Sequence, residues 1–198
     1  PKNAGTWYVK AKAAQTAQYN EAWSDCKTYT MNKYKASIAL SPTTGTVNYN
    51  ATTTFTATPT IIDACKGTLT AASASTSNVS ITGGASTSNA TSAVTVTWKG
   101  LAYTTDTKIN VNYAVSNTSN CTNADQKQYT AKVNRIAQTV TLANQTKTYN
   151  GSNQAATGAT TTGNGAISYV YYTNNTCSTQ TSTSDASGAA AAGGAPKN

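Results

Sequence analysis

The chain of 198 residues is basic, with 14 Lys and Arg against 6 Asp and Glu for a formal net charge of +8, and it contains no His. Without His, Ser-His-Asp and Cys-His catalytic sets and His-ligated zinc or iron are excluded; six scattered carboxylates leave little material for a calcium loop or a glycosidase acid pair. Thr makes up roughly a fifth of the residues, while Ile, Leu, Val and Phe together number only 22, under the ~20% share that usually accompanies a globular core. Charged residues are also scarce, at 10%, so the high charge of a disordered chain is missing. The apolar residues fall instead in short alternating runs, the pattern of thin β-sheets. No run approaches the ~18 apolar residues of a membrane-spanning helix, and no signal peptide opens the chain, whose abrupt start at Pro1 is expected of a segment cut from something longer.

The first expected strand is Trp7-Tyr8-Val9-Lys10-Ala11-Lys12, with Trp7, Val9 and Ala11 on one face and Tyr8, Lys10 and Lys12 on the other. A second covers residues 27–31, and residues 19–26 between them read as a loop with two aromatics and a Cys. Two strands and a loop cannot bury their own apolar face, so residues 1–34 read as a fragment that needs a partner.

Residues 35–133 hold a fuller set. Ile38 and Leu40 alternate before the turn Ser41-Pro42-Thr43-Thr44-Gly45; Val47 with Tyr49, then residues 54–58, follow. Leu69 and the pair Val79 and Ile81 mark short strands, the latter stopped by Gly83-Gly84, and Val94, Val96 and Trp98 stop at Lys99-Gly100. Ile109, Val111, Tyr113 and Val115 share the cleanest alternating face, with Lys108, Asn110, Asn112 and Ala114 outward, and residues 129–133 end the block. About seven short strands with turn signals every 8 to 12 residues form the immunoglobulin-like pattern.

In residues 134–198, Val140 and Leu142 alternate, residues 148–152 carry an Asn-Gly hairpin signal, and residues 167–172 form a strand with Ile167, Tyr169 and Tyr171 on one face. The Ser, Thr, Ala and Gly-rich end reads as a loop or weak strand within a domain. The chain opens Pro1-Lys2-Asn3 and closes Pro196-Lys197-Asn198, which implies a period of 195 residues. Joined there, the C-terminal block runs on into the N-terminal one as a single β domain, as in a tandem array.

The stretches Tyr149-Asn150-Gly151-Ser152, 167–172, Asn3-Ala4-Gly5-Thr6-Trp7-Tyr8-Val9-Lys10-Ala11 and Tyr19-Asn20 resemble the MBG-type bacterial Ig-like repeat, in rotated order. The family's second half falls at 1–34 and its first half at 134–198, while 35–133 resembles, more weakly, the Big-type Ig-like domains through its Ser-Pro turn and Thr-rich strands. The resemblance implies an all-β fold of tandem immunoglobulin-like sandwiches in bacterial surface proteins, adhesins and stalks. Neither domain type carries a catalytic motif. Within this frame Trp7, Val9 and Ala11 would complete a sheet with Ile167, Tyr169 and Tyr171 across the repeat junction.

Four Cys without a C-x-x-C pair or His fit two disulfides in an oxidising, extracellular setting. Cys65 and Cys121 fall after an early and a late strand of the middle domain, the arrangement for bridging its two sheets. Cys26 and Cys177 fall in opposite halves of the split domain and lie within one chain or between chains. Each bond would contribute about 4 kcal/mol in the chain-entropy account. The lysines are dispersed, paired only at Lys10/Lys12 and Lys33/Lys35, and read as a solvated strand face rather than a nucleic-acid groove. Tyr and Trp, 12 and 3 in number, are expected chiefly in the core. Asn-x-Ser/Thr triplets occur at Asn50, Asn78, Asn89, Asn117, Asn120, Asn144, Asn150 and Asn174, as a chain this rich in Asn and Thr generates by chance. The expectation is an extracellular structural repeat at a bacterial cell surface, without cofactor or membrane span, whose partner is another copy of itself. The rival is an adhesin that engages glycans or anionic envelope polymers through Trp23 or Tyr172.

Overall fold

The computed structural model describes residues 1–148, 150, 152, 154–172, 175–177 and 180–184. It is all-β, with nineteen strands and one 3-10 turn among these residues, divided into two compact units: residues 1–136 and the described residues from Ala137 onward.

The first unit opens with a two-stranded ribbon made of β1 (Gly5–Val9), β2 (Lys12–Ala13), β3 (Ala22–Trp23) and β4 (Lys27–Met31). Trp7 stands opposite Tyr29 in the β1–β4 pair, and Lys12 opposite Trp23 in the β2–β3 pair. The strand expected over 7–12 is thus interrupted at Lys10 and Ala11, and the expected loop over 19–26 contains a strand. Ser24 accounts for the interruption: its Oγ accepts a hydrogen bond from Ala11 N, and its own N donates to Ala11 O, both at 2.9 Å. A hydroxyl has replaced one rung of the backbone ladder.

After β5 (Tyr34–Lys35) the chain builds a sandwich. Its strands are β6 (Ser37–Ser41), β7 (Thr44–Asn48), β8 (Thr52–Thr60), β9 (Gly67–Ser73), β10 (Val79–Gly83), β11 (Ser86–Ser88), β12 (Val94–Gly100) and β13 (Thr104–Val115); after β14 (Cys121–Thr122) comes the last, β15 (Lys127–Asn134). One sheet has the order β10-β12-β8-β6 and the other β11-β9-β13-β15-β7. The Ser-Pro turn carries the chain from the first sheet to the second, so that β7 runs parallel to β15 with Val47 beside Val133.

Period-two alternation does the folding. Along β13, Thr107, Ile109, Val111, Tyr113 and Val115 are buried, and along β8 Phe55, Ala57 and Pro59 are buried while Thr52, Thr54, Thr58 and Thr60 face out. Rings close the space between the sheets: Phe55 stacks on Tyr129 at 4.2 Å, and Trp98 meets Tyr129 edge-on at 5.9 Å. The Tyr113 hydroxyl donates to the Ala90 carbonyl at 2.8 Å inside the core. The short strands β5, β11 and β14 are two or three residues long, too short to show an apolar alternation, and are invisible to a periodicity argument.

In the second unit β16 (Val140–Thr141) pairs antiparallel with β17 (Thr160–Thr161), and β18 (Tyr169–Tyr172) with β19 (Gln180–Ser184). Ile167 precedes β18 rather than sharing it. Tyr149 and Gly151 of the expected hairpin, and the closing Pro196-Lys197-Asn198, lie outside the described residues.

Two substitutions check this packing. A Cβ on Gly67 would lie 2.0 Å from the Ala114 carbonyl oxygen across the β9–β13 ladder, and backbone cannot step aside as a side chain can. Gly67→Ala is expected to cost about 3 kcal/mol in urea unfolding, against about 0.5 kcal/mol or less for the exposed Thr58→Ala. Tyr113→Phe leaves the buried Ala90 carbonyl without its donor and is expected to cost about 1–2 kcal/mol in the same assay. Wild-type midpoints for either core variant would refute the packing described.

Candidate functional site

Among the described residues no group of three or more His, Cys, Asp or Glu gathers that could hold a metal ion. Four of the six acids are engaged with lysines instead: Glu21 with Lys12 at 2.7 Å, Asp125 with Lys35 at 2.7 Å, Asp63 with Lys66 at 3.1 Å and Asp106 with Lys108 at 2.7 Å. Two of the lysines expected to be merely solvated, Lys12 and Lys35, are therefore paired, and a third, Lys33, donates to the Thr118 carbonyl at 2.6 Å. The features left to carry function are uncovered strands and the cysteines.

On the ribbon, Trp7, Val9 and Tyr29 share one face. They are exposed, Val9 by 51%. Ala11, also exposed, stands in the interruption after β1. Toward the tip, Trp23 donates its indole N–H to Glu21 Oε1 at 2.8 Å while Lys12 Nζ sits 5.0 Å from its ring centroid. Lys12, and after it the Trp23 indole, hold the Glu21 carboxyl below the usual carboxylate range. One Trp is thereby fixed in orientation while still 57% exposed.

In the second unit Val140, Leu142, Val170 and Tyr172 are exposed. Tyr169 and Tyr171 are half-buried, and their hydroxyls accept from Ala159 N at 3.1 Å and Ala156 N at 2.6 Å. The expectation that Tyr and Trp serve the core holds for Trp98, Tyr113 and Tyr129 and fails on the ribbon, at Tyr49 and Tyr103 on the sandwich surface, and on Tyr172. The buried core is confined to residues 36–133, and aromatics outside that span have no second sheet to enter.

Cys65 and Cys121 form a disulfide with a Cα–Cα distance of 5.8 Å. It does not bridge the two sheets as its sequence position suggests. Cys65 ends the 3-10 turn Asp63–Cys65 ahead of β9, and Cys121 lies in β14 between β13 and β15, all three of these long strands being neighbours in one sheet. Gly67 pairs with Val115, so the bond staples two loops at one end of the sandwich. Cys26 and Cys177 are exposed and carry free thiols in the single chain.

The stapled loop holds the residues that sequence reasoning missed. Asn120 Oδ1 accepts from Ala4 N at 2.8 Å, its Nδ2 donates to Asn3 Oδ1 at 3.1 Å, and its carbonyl accepts from Tyr34 N at 2.9 Å. Asn117 Oδ1 accepts from Asn120 N at 3.3 Å, and Asn123 Oδ1 from Val115 N at 2.9 Å. The available signal was the run Asn117-Thr118-Ser119-Asn120-Cys121-Thr122-Asn123, since Asn side chains favour loops by bonding nearby backbone. Two of these Asn head glycosylation triplets, but the Asn117 and Asn120 amides are already committed internally.

No protein family model and no curated protein matches this chain. Among solved structures, the chain is similar to surface layer protein SbsC, domains 1-6, at 21% identity and a TM-score of 0.38 over 71% of this chain and 17% of that one. The S-layer protein SbsC domains 4 and 5 align at 18% identity and a TM-score of 0.37 over 66% of this chain and 65% of theirs. For the S-layer protein rSbsC(31-844) the identity is 16% and the TM-score 0.35, over 91% of this chain and 27% of that one. The all-β class rests on the sheets themselves, and the chain spans less than a fifth of the first of these structures.

Proposed function

We propose that this chain is a structural repeat unit of an extracellular bacterial surface fibre or stalk, a spacer built from tandem sandwiches. The observation that carries the reading is the distribution of apolar surface. One sandwich buries a complete core in residues 36–133, whereas strands on either side of it in sequence, β1 with β4 and β16 with β18, leave Trp7, Val9, Tyr29, Val140 and Val170 in solvent. In the split-domain reading, residues 1–34 of one unit complete the sheet begun by residues 134–198 of another. Trp7, Val9 and Ala11 then meet Ile167, Tyr169 and Tyr171, which are only half-buried within their own unit, and the ribbon face gains the apolar cover that it lacks. The head-to-tail contact is heterologous and does not close, so it propagates.

Two forms of the array follow: one long polypeptide of which these residues are a period, or separate subunits joined in trans, with Cys26 and Cys177 available to link them. An adhesin is the second reading, favoured by the oriented and exposed Trp23 beside Glu21 and Lys12, a stacking surface flanked by hydrogen-bonding groups. Retention of the chain on immobilised neutral polysaccharide, lost in Trp23→Ala, would support that reading over the spacer.

The spacer reading makes two measurements decisive. Denatured native material is expected to run at many hundreds of kilodaltons with and without reductant, as one long chain does; collapse to the 20.4 kDa chain on reduction would assign the array to disulfide-linked subunits instead. The isolated chain is expected to associate in sedimentation at micromolar concentration, and Trp7→Ala to weaken that association about tenfold or more, as loss of a buried aromatic anchor does, with circular dichroism unchanged. A chain that stays monomeric throughout would overturn strand completion.

A further inference from the structure

We infer that the loop 117–122, stapled to Cys65, is a rigid joint that welds the ribbon 5–31 to the sandwich, so that consecutive domains are held at a set angle with no free linker between them. The inference rests on the spacer reading for its biological purpose, but the joint itself lies within the first unit and stands on its own contacts.

Among the described residues, the hydrogen bonds that tie residues 3–33 to the sandwich end on Thr118 or Asn120: Ala4 N to Asn120 Oδ1, Asn120 Nδ2 to Asn3 Oδ1, and Lys33 Nζ to the Thr118 carbonyl. Both strands of the ribbon's open end are therefore held, Asn3 and Ala4 ahead of β1 and Lys33 beyond β4. The chain then pairs with the same loop as it leaves the ribbon. β5 lies parallel to β14 with Tyr34 beside Cys121; Tyr34 N donates to the Asn120 carbonyl at 2.9 Å and Ala36 N to the Thr122 carbonyl at 3.1 Å. Lys35 reaches Asp125 at 2.7 Å.

A loop can anchor something only if it is itself fixed. Residues 116–126 join β13 to β15 and, as a surface connection of that length, would ordinarily be mobile. Here Cys121 is buried and bonded to Cys65; Ser116 N donates to the Lys66 carbonyl at 2.9 Å, and Cys121 N to the Asn117 carbonyl at 3.0 Å. The disulfide thus fixes Asn120 by its immediate neighbour, and Asn120 fixes the ribbon. Relative motion of adjoining domains is the default where their interface is small; this connection removes it by making the linker residues 34–36 part of a ladder.

The test uses the full chain with uniform nitrogen-15 label. In the wild type, amides of the ribbon and of β8 to β13 are expected to report one common tumbling time in relaxation, and the Ala4 and Tyr34 amides to be protected from exchange. In Cys65→Ala/Cys121→Ala, exchange at Ala4 and Tyr34 is expected to rise about tenfold or more, as for local opening, with β8 and β12 amides unchanged. In Asn120→Ala the disulfide remains: Ala4 is expected to lose protection and Tyr34, bonded to a backbone carbonyl, to keep it. Should the double cysteine variant lose protection everywhere, Asn120→Ala alone decides. Wild-type exchange at Ala4 in Asn120→Ala, or a ribbon that tumbles independently in the wild type, would overturn the joint while leaving the mass and association results untouched.

Discussion

Tyr129 stands where the two sheets meet, with its ring stacked on Phe55, the edge of Trp98 against it, and Gly45 giving up a side chain so that its hydroxyl has room: a Cβ there would lie 1.9 Å from Tyr129 Oη. With so few large aliphatics, the chain cannot fill a sandwich by interdigitating Leu and Ile. It uses a few rings, each of which covers as much area as two or three smaller side chains. Burial raises the Tyr129 phenol above its usual range. The Trp98 N–H is buried without a hydrogen-bond partner, a cost of about 1–3 kcal/mol that ring packing must offset. The strand register follows from this constraint: a shift by one residue in β8, β12 or β15 would turn that strand's ring, Phe55, Trp98 or Tyr129, to solvent.

Concentrating the apolar material in one sandwich leaves little for the rest of the chain. The ribbon and the second unit have enough alternation to make strands and too little to bury them. Their exposure is then a consequence of how 22 aliphatic and Phe residues are spread over 198.

The legible part of the fold was the part governed by burial. Alternation at Ile109, Val111, Tyr113 and Val115 lies within β13, and Val94, Val96 and Trp98 lie within β12, because inward and outward faces differ in kind there. The sequence was silent where side chains replace ladder bonds, as at Ser24 and Ala11, and where strands are only two or three residues long, as in β11 and β14. The two-sheet placement of the disulfide failed for a related reason. Spacing along the chain says that Cys65 and Cys121 come after an early and a late strand; it does not say that Cys65 sits in the turn from β8 to β9, or that Cys121 lies in a short strand paired with β5 outside both sheets.

The Asn-rich loop was read as chance glycosylation triplets because composition cannot distinguish an amide that waits for a sugar from one that is already spent. Chemistry can. A carboxamide presents a donor and an acceptor side by side, and Asn120 uses both on the two residues ahead of the ribbon while its own backbone is held by Asn117 and by the disulfide next door. Ser or Thr at that position could not reach both partners at once, and Asp would meet Asn3 only if the Asn3 amide turned to present its Nδ2. The carboxamide at this position thus serves both partners with one side chain. In a chain this poor in core, rigidity between domains comes from a satisfied polar network closed by one covalent bond.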